Sequence, residues 1–182
     1  MKEGTIFRSF AARDGRTVTL RAPKWGDLDD FLHFINSLVE EGADILVNTK
    51  KTREEEMAFV SRTLTGIEGD KMVSVVAEVE GRFAGHVEVT RRPGYSSHVG
   101  NLGISLIRDF RDAGIGQELM LEAETQAKKL GIELIQLEVY ERNKRAVHVY
   151  EKTGYSVVGR VPGDIKRDGL YLDTLLMVKS IV

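Results

Sequence analysis

Two glycines one residue apart, Gly114 and Gly116, sit inside "RDAGIGQEL" (residues 111–119), where an apolar run stops and a helical pattern starts. Successive backbone N–H groups in such a turn, leading into the partly positive N-terminus of a helix, bind an anion without needing a basic side chain. A phosphate loop of the GxxxxGK[ST] type is excluded, because neither its spacing nor its lysine is present. A dinucleotide fingerprint, GxGxxG, fits less badly. Its third glycine position holds Leu119, although Glu133 and Glu138 lie near the acidic spacing such a site uses. That fingerprint follows the first strand of a doubly wound sheet, whereas several strands precede this turn.

A second stretch, "LEVYERNKRAVHVYEKTGY" (residues 137–155), brings polar groups suited to acid–base work. On a strand, Leu137 and Val139 point to one face and Glu138 to the other. Asn143 is a natural helix cap, and Tyr150 lies two helical turns further along the same face. The four histidines, His33, His86, His98 and His148, show no metal-ligand spacing, and the chain has no cysteine. Thiolate metal sites, disulfides and a cysteine nucleophile are therefore excluded, and no metal is expected.

These two stretches resemble the two signatures of the GNAT acyltransferase superfamily. Arg111, Gly114 and Gly116 match the first. Leu137, Val139, Asn143, Ala146, Tyr150, Glu151 and Gly154 match the second, with Val149 and Tyr155 in place of the commoner leucine and phenylalanine and Asp112 where glycine or arginine is more usual. The resemblance covers roughly residues 70–180. It implies a cosubstrate, acetyl-CoA, whose pyrophosphate rests on the turn formed by Arg111, Asp112, Ala113, Gly114, Ile115, Gly116 and Gln117. It further implies that the pantetheine arm pairs like an added strand with Ile104, Ser105 and Leu106, and that Asn143 contacts that arm.

Acyl transfer from a thioester to an amine needs a neutral amine, a stabilised oxyanion and a way to discharge the thiolate. The resemblance implies Tyr150 as the acid toward sulfur and Glu138 as the base, with a backbone N–H near Leu106 for the oxyanion. Glu88, alternating with Val87 and Val89, is a second candidate base. Tyr150 as plain core and Glu138 as a solvated strand residue stay open. So does a catalytically silent acyl-CoA-binding sensor or partner module in place of an enzyme.

The elements that must position these groups follow from periodicity. Asp14 and Gly15 between two β-prone runs predict a hairpin with a two-residue turn. Leu28, Phe31, Leu32, Ile35, Leu38 and Val39 predict a helix stopped by Gly42, and "REEEMAFVSRTL" predicts a second helix running to Gly66. "MVSVVAEV", "FAGHVEVT" and "VGNLGISLI" read as an antiparallel meander. The stripe Ile115, Leu119, Ala123, Ala127 and Leu130 predicts a helix closed by Gly131, and the strand "IELIQLEVY" after it forces a right-handed parallel crossover. A short helix from Asn143 to Gly154 and two strands, "YSVVGRV" and "LYLDTLLMVKS", finish the chain, with "PGDIKRDG" as a turn-rich connection. The expected fold is a single-domain α/β GNAT fold over residues 1–182. Its sheet is mixed and mostly antiparallel, with a central splayed parallel pair flanked by helices, and residues 1–15 add an extra N-terminal strand to an acyl-CoA-binding core.

With 26 Lys and Arg against 28 Asp and Glu, no basic excess points to nucleic acid. No run approaches the roughly 18 apolar residues that span a bilayer, and "MKEGTIFRSF" lacks a signal-peptide core, so a cytoplasmic protein without membrane association is expected. A homodimer through a sheet edge or the C-terminal strand is common in the resembled family. The acceptor is legible only as an amine. Amino acids, polyamines, aminoglycosides and protein N-termini all stay open, and Glu40, Glu41 and Asp44 are either attractors for a cationic amine or solvated charges.

Overall fold

The computed structural model describes residues 1–182. Twelve elements follow one another as β1 (Ile6–Ala11), β2 (Thr17–Arg21), α1 (Leu28–Glu40), α2 (Arg53–Glu68), β3 (Met72–Val79), β4 (Arg82–Arg91), β5 (Val99–Leu106), α3 (Ile115–Lys129), β6 (Leu134–Tyr140), α4 (Lys144–Lys152), β7 (Ser156–Arg167) and β8 (Leu170–Ser180). One eight-stranded sheet runs in the order β1-β2-β3-β4-β5-β6-β8-β7, antiparallel throughout except for the parallel pair β5 and β6. This is the α/β arrangement expected from the alternation of apolar periods.

Each face of the sheet has its own layer. Ile115, Leu119, Met120, Ala123 and Ala127 of α3 pack with Val73, Val75, Ala77, Val87 and Val89 on one side. On the other, Phe31, Phe34 and Leu38 of α1 and Val60 of α2 pack with Val76 and Phe83. At about 25 cal/mol per Å² of apolar surface, full burial of each such side chain contributes roughly 1.5–3 kcal/mol, so α3 and the meander form one rigid body. Arg21 of β2 fastens the second layer to the sheet. Its guanidinium, buried, donates to both Asp27 oxygens at 2.7 and 2.8 Å and to Glu78 Oε1 at 2.6 Å.

Four local expectations are corrected. The β1–β2 turn is longer than two residues. Gly15 N–H donates to Ala12 at 2.9 Å and Ala12 N–H to Arg16 at 2.8 Å, and Gly15 takes a left-handed φ of 85°; this is the three-residue loop in which a common turn closes through glycine. In α1 the buried stripe uses Phe34, and Leu32, Ile35 and Val39 are only half-buried. The second helix passes through Gly66 to Glu68, because the missing Cβ leaves room for the Met72 side chain, whose Sδ would lie 2.6 Å from it. Finally, "PGDIKRDG" is mostly strand. β7 continues to Arg167 through an irregular register between Val161 and Ile165, and only Asp168 and Gly169 turn.

Candidate active site

α3 begins without a side-chain cap. Gly114, at φ 83°, is its N-cap residue, and Asp112 also takes a left-handed φ of 65°. The first hydrogen bond into the helix is Glu118 N–H to Gly114 at 3.4 Å, so the six N–H groups of residues 112–117 donate to no protein acceptor. Unpaired donors of this kind, aimed past a helix N-terminus, form a concave positive site. Around them stand Arg13, Arg108, Arg111 and Arg145. The Asp112 carboxylate is 81 % exposed and paired with Arg145 at 2.9 Å.

The β1–β2 hairpin braces the turn from outside. Arg13 N–H donates to the Ala113 carbonyl at 3.1 Å, its guanidinium to Gln117 Oε1 at 3.1 Å, and Arg16 to the Asp109 carbonyl at 3.3 Å. Arg111 holds the inner side. Its Nε and Nη2 donate to the Leu106 carbonyl at 3.0 and 2.8 Å, and Nη2 also pairs with Glu41. The Arg111 side chain thus ties the end of β5 to the end of α1, and its guanidinium is already engaged.

Beside the turn the sheet opens. Val99, Gly100 and Asn101 pair with Leu134, Ile135 and Gln136, and beyond these the two strands diverge. Ile107 N–H donates to the Ala84 carbonyl across to β4. Because backbone groups alternate along a strand, Ser105 also faces β4, while Ile104 and Leu106 face the gap. Of the three residues expected to pair with an extended ligand, two present their N–H groups to it, and Ser105 has its backbone committed to the sheet.

The gap and the α1–α2 face of the sheet form one cleft of about 1370 Å³. Tyr150 on α4 reaches into it from the core side, packed near Tyr155 with ring centroids 6.1 Å apart. Burial pushes its phenol up to about 12, with no hydrogen bond acting on it. Asn143 caps α4, its Oδ1 accepting from Ala146 N–H at 3.1 Å, which leaves its Nδ2 donors free. Glu138 lies exposed on the cleft side of β6, opposite Leu176 of β8. Glu88 of β4 faces the same cleft but is half-buried, and burial pushes its carboxyl above the usual range with Arg62 opposing weakly. The expected residues therefore converge on one cleft, with Glu88 in the more desolvated place and Glu138 in the wetter one.

Sequence reasoning missed several groups here. His86 is buried and hydrogen-bonded to Ser74 Oγ at 2.7 Å, and burial pushes its imidazole down to about 4, so it is neutral. Together with Phe31 and Phe59 it makes an edge-packed aromatic wall, at 5.1 Å from Phe31 and 6.1 Å from Phe59. Glu56 of α2 also lines the cleft, 5 % exposed, at a position whose "REEEM" context signals only a solvated helix start. The acidic residues suspected at the end of α1 are spoken for. Glu40 pairs with Lys50 at 2.5 Å, Glu41 with Arg108 and Arg111, and Asp44 with Arg142 at 2.5 Å and Arg167 at 3.6 Å. No group of three or more His, Asp or Glu side chains is placed to hold a metal ion, and no helix is long and apolar enough to cross a membrane.

Known proteins resemble this chain in sequence and in fold. The model of the family described as Acetyltransferase (GNAT) matches residues 38–155. An L-amino acid N-acetyltransferase of Escherichia coli (strain K12) is 32 % identical over 108 residues, which make up 58 % of this chain and 66 % of that enzyme's length. An acetyltransferase of the GNAT family from Streptococcus pneumoniae superposes with a TM-score of 0.81 at 27 % identity, over 90 % of this chain and 99 % of that one. A GNAT superfamily phosphinothricin acetyltransferase from Sinorhizobium meliloti, solved in complex with AcCoA, superposes with a TM-score of 0.79 at 22 % identity, over 90 % of this chain and 88 % of that one.

Proposed function

The chain belongs to the acetyltransferase (GNAT) family, and we propose that it moves an acetyl group from acetyl-CoA to a primary amine by direct attack in a ternary complex. The observation that carries this reading is the row of six unpaired N–H groups at residues 112–117, opening onto the gap between β5 and β6. A pyrophosphate suits those donors, and an extended amide-bearing arm suits the strand edge at Ile104 and the Leu106 N–H, the Leu106 carbonyl being held by Arg111. When bound, acetyl-CoA supplies the activated acyl group.

The chain's residues divide the remaining work. The amides of 112–117, with Arg13 and Arg145 beside them, hold the phosphate end. Asn143 donates from Nδ2 to the arm, and Leu106 N–H faces the place where the oxyanion develops. Glu88 takes the proton from the attacking amine. Its raised pKa brings it nearer the working pH, where a general base is most effective, and Glu138 stands further out as the relay to solvent. Tyr150 meets the leaving sulfur. A phenol pushed up to about 12 holds its proton more tightly than a thiol of pKa near 8.5, so Tyr150 stabilises the thiolate by donating a hydrogen bond and retains its own proton.

The test has two arms. Acetyl-CoA at 100 times its dissociation constant stabilises a protein that binds it by about 2.7 kcal/mol, roughly 5–11 °C in Tm for a domain of this size. Amine-dependent release of free CoA then reports transfer. A shift with amine-dependent release supports the reading; a shift without release from any amine would leave an acyl-CoA binder, and no shift would remove both.

A further inference from the structure

Glu56 occupies a position where the helix asks for an apolar residue. The buried stripe of α2 is Glu56, Val60, Thr63 and Ile67, in which Val60 and Ile67 are fully buried and Thr63 is 1 % exposed. Glu56 is 5 % exposed and lines the cleft, and its carboxylate has neither a hydrogen bond nor an ion pair from any protein group. The nearby cations are otherwise engaged. Lys51 Nζ sits 3.4 Å from Glu55, and the Arg62 guanidinium lies over the Phe59 ring at 5.5 Å. The Glu56 carboxylate oxygens are not sealed off but open to the cleft, partly desolvated, with burial pushing the carboxyl above its usual range and Lys51 opposing; an ionised carboxylate can only accept hydrogen bonds, so a group that displaces water here is matched best by N–H donors carrying a positive charge.

The rest of the cleft wall agrees. Phe59 and Arg62 follow Glu56 at i+3 and i+6 on α2, and the Phe31, Phe59 and His86 rings pack edge-on beside them. Aromatic faces favour a desolvated ammonium. Of the cleft's carboxylates, Glu41, Asp44, Glu55 and Asp112 have cationic partners, while Glu56, Glu88, Glu138 and Asp164 have none. Against these four, the cleft-lining Arg and Lys side chains without an ion-pair partner are Arg13, Arg62 and Lys152, of which Arg62 stands on α2 two turns from Glu56. We propose that the acceptor is a diamine-type amine whose reacting nitrogen is served by Glu88 while its second, protonated nitrogen is held by Glu56 against the Phe31 and Phe59 rings. This rests on the amine-acetylating reading above and adds to it the class of acceptor and the residue that selects it.

A matched series of acceptors tests the assignment. Initial rates at saturating acetyl-CoA are measured for 1,4-diaminobutane, for butylamine and for an α-amino acid, with the wild type, Glu56→Gln, Glu56→Asp and Arg62→Ala. The wild type is expected to favour the diamine over the monoamine in kcat/KM. Glu56→Gln should lower that ratio at least tenfold, or about 1.4 kcal/mol, chiefly through KM for the diamine, and Glu56→Asp, which keeps the charge, should retain more of it. Thermal unfolding of each variant checks that the fold is intact, and the wild-type ratio stands as a test that needs no variant. Transfer to butylamine with no diamine preference, or a preference that Glu56→Gln leaves unchanged, overturns the role of Glu56 while sparing the enzyme. Preference for the amino acid, abolished by Arg62→Ala, overturns it in favour of a carboxylate-bearing acceptor. Acetyl-CoA binding with transfer to none of the three but to another amine overturns this assignment alone, and transfer to no amine of any class overturns the amine reading beneath it as well.

Discussion

Replacing Tyr150 with phenylalanine separates two consequences of one desolvated hydroxyl that faces the cleft. The group has no hydrogen-bond partner in the protein, and burial alone pushes its pKa up to about 12. Burial disfavours the phenolate, so the folded-state pKa lies above the unfolded value of about 10. The stability this represents is fully present below about pH 10 and is lost as pH rises through the folded pKa, reaching about 3 kcal/mol in full and about 1 kcal/mol at pH 11. Denaturant titration at about pH 8 and again at about pH 11 should therefore show the wild type losing about 1 kcal/mol more than Tyr150→Phe. At pH 8 the variant should be as stable as the wild type, since no internal hydrogen bond disappears. Turnover should fall about 100-fold, the usual effect of removing one donor to a developing anion, with KM for acetyl-CoA nearly unchanged. A kcat within about threefold of the wild type would refute the donor role. Equal alkaline losses in the two proteins would refute the burial argument from which the shift was reasoned.

Glu88→Gln should lower kcat/KM about 100-fold near neutral pH. Because the wild-type carboxyl is itself protonated as pH falls through its raised pKa, the ratio of wild-type to variant rates should shrink steadily as pH falls, and a ratio that stays constant as the solution is acidified would exclude Glu88 as the base. Glu138→Gln, at an exposed position, should change the same profile far less. Gly114→Ala forces an L side chain into a left-handed φ of 83°, with its Cβ 3.2 Å from Arg13 Nε; it should cost about 1–2 kcal/mol, a Tm fall of roughly 2–8 °C, and raise KM for acetyl-CoA. Asp27→Ala leaves the buried Arg21 guanidinium with Glu78 as its one carboxylate partner and should cost about 3–5 kcal/mol in denaturant titration without changing KM for either substrate.

Much of this molecule was legible because local rules governed it. The order of strands and helices followed from periods of two and 3.6, and the stops at Gly42, Gly131 and Gly154 all take left-handed φ values, of 65°, 73° and 94°. Gly66 obeys a different rule. Its missing Cβ serves packing against Met72, a tertiary demand that reads in the sequence like a helix end. The continuation of β7 through Pro162 and Gly163 was hidden in the same way, since turn-forming residues there are absorbed by an irregular register at the sheet edge. Within the site, the glycine turn and the cap at Asn143 were legible from type and spacing, Glu88 was picked out by its alternation with Val87 and Val89, and Tyr150 and Glu138 came from the family resemblance; all five line the cleft or its turn. Glu56 was not legible, because burial in the first turn of α2 depends on where the helix lands on the sheet. Nor were the partners of Glu40, Glu41 and Asp44, several of which arrive from residues far along the chain. Pairing of that kind has no local signature.

The three-residue seam between β5 and β6 makes the sheet two plates. β1 to β5 zip in chain order as antiparallel neighbours, and β6, β8 and β7 form a second plate from the C-terminal third of the chain. Every strand pair within a plate shares at least four paired positions, whereas the seam has three. The seam is thus the natural place for the sheet to loosen first. An extended ligand lying in the gap touches both plates and works as a dowel, locking their relative tilt. Amide hydrogen exchange at Gly100 and Asn101 should slow on acetyl-CoA binding more than at the outer strands, and the enzyme's stiffness would then rise and fall with each turnover.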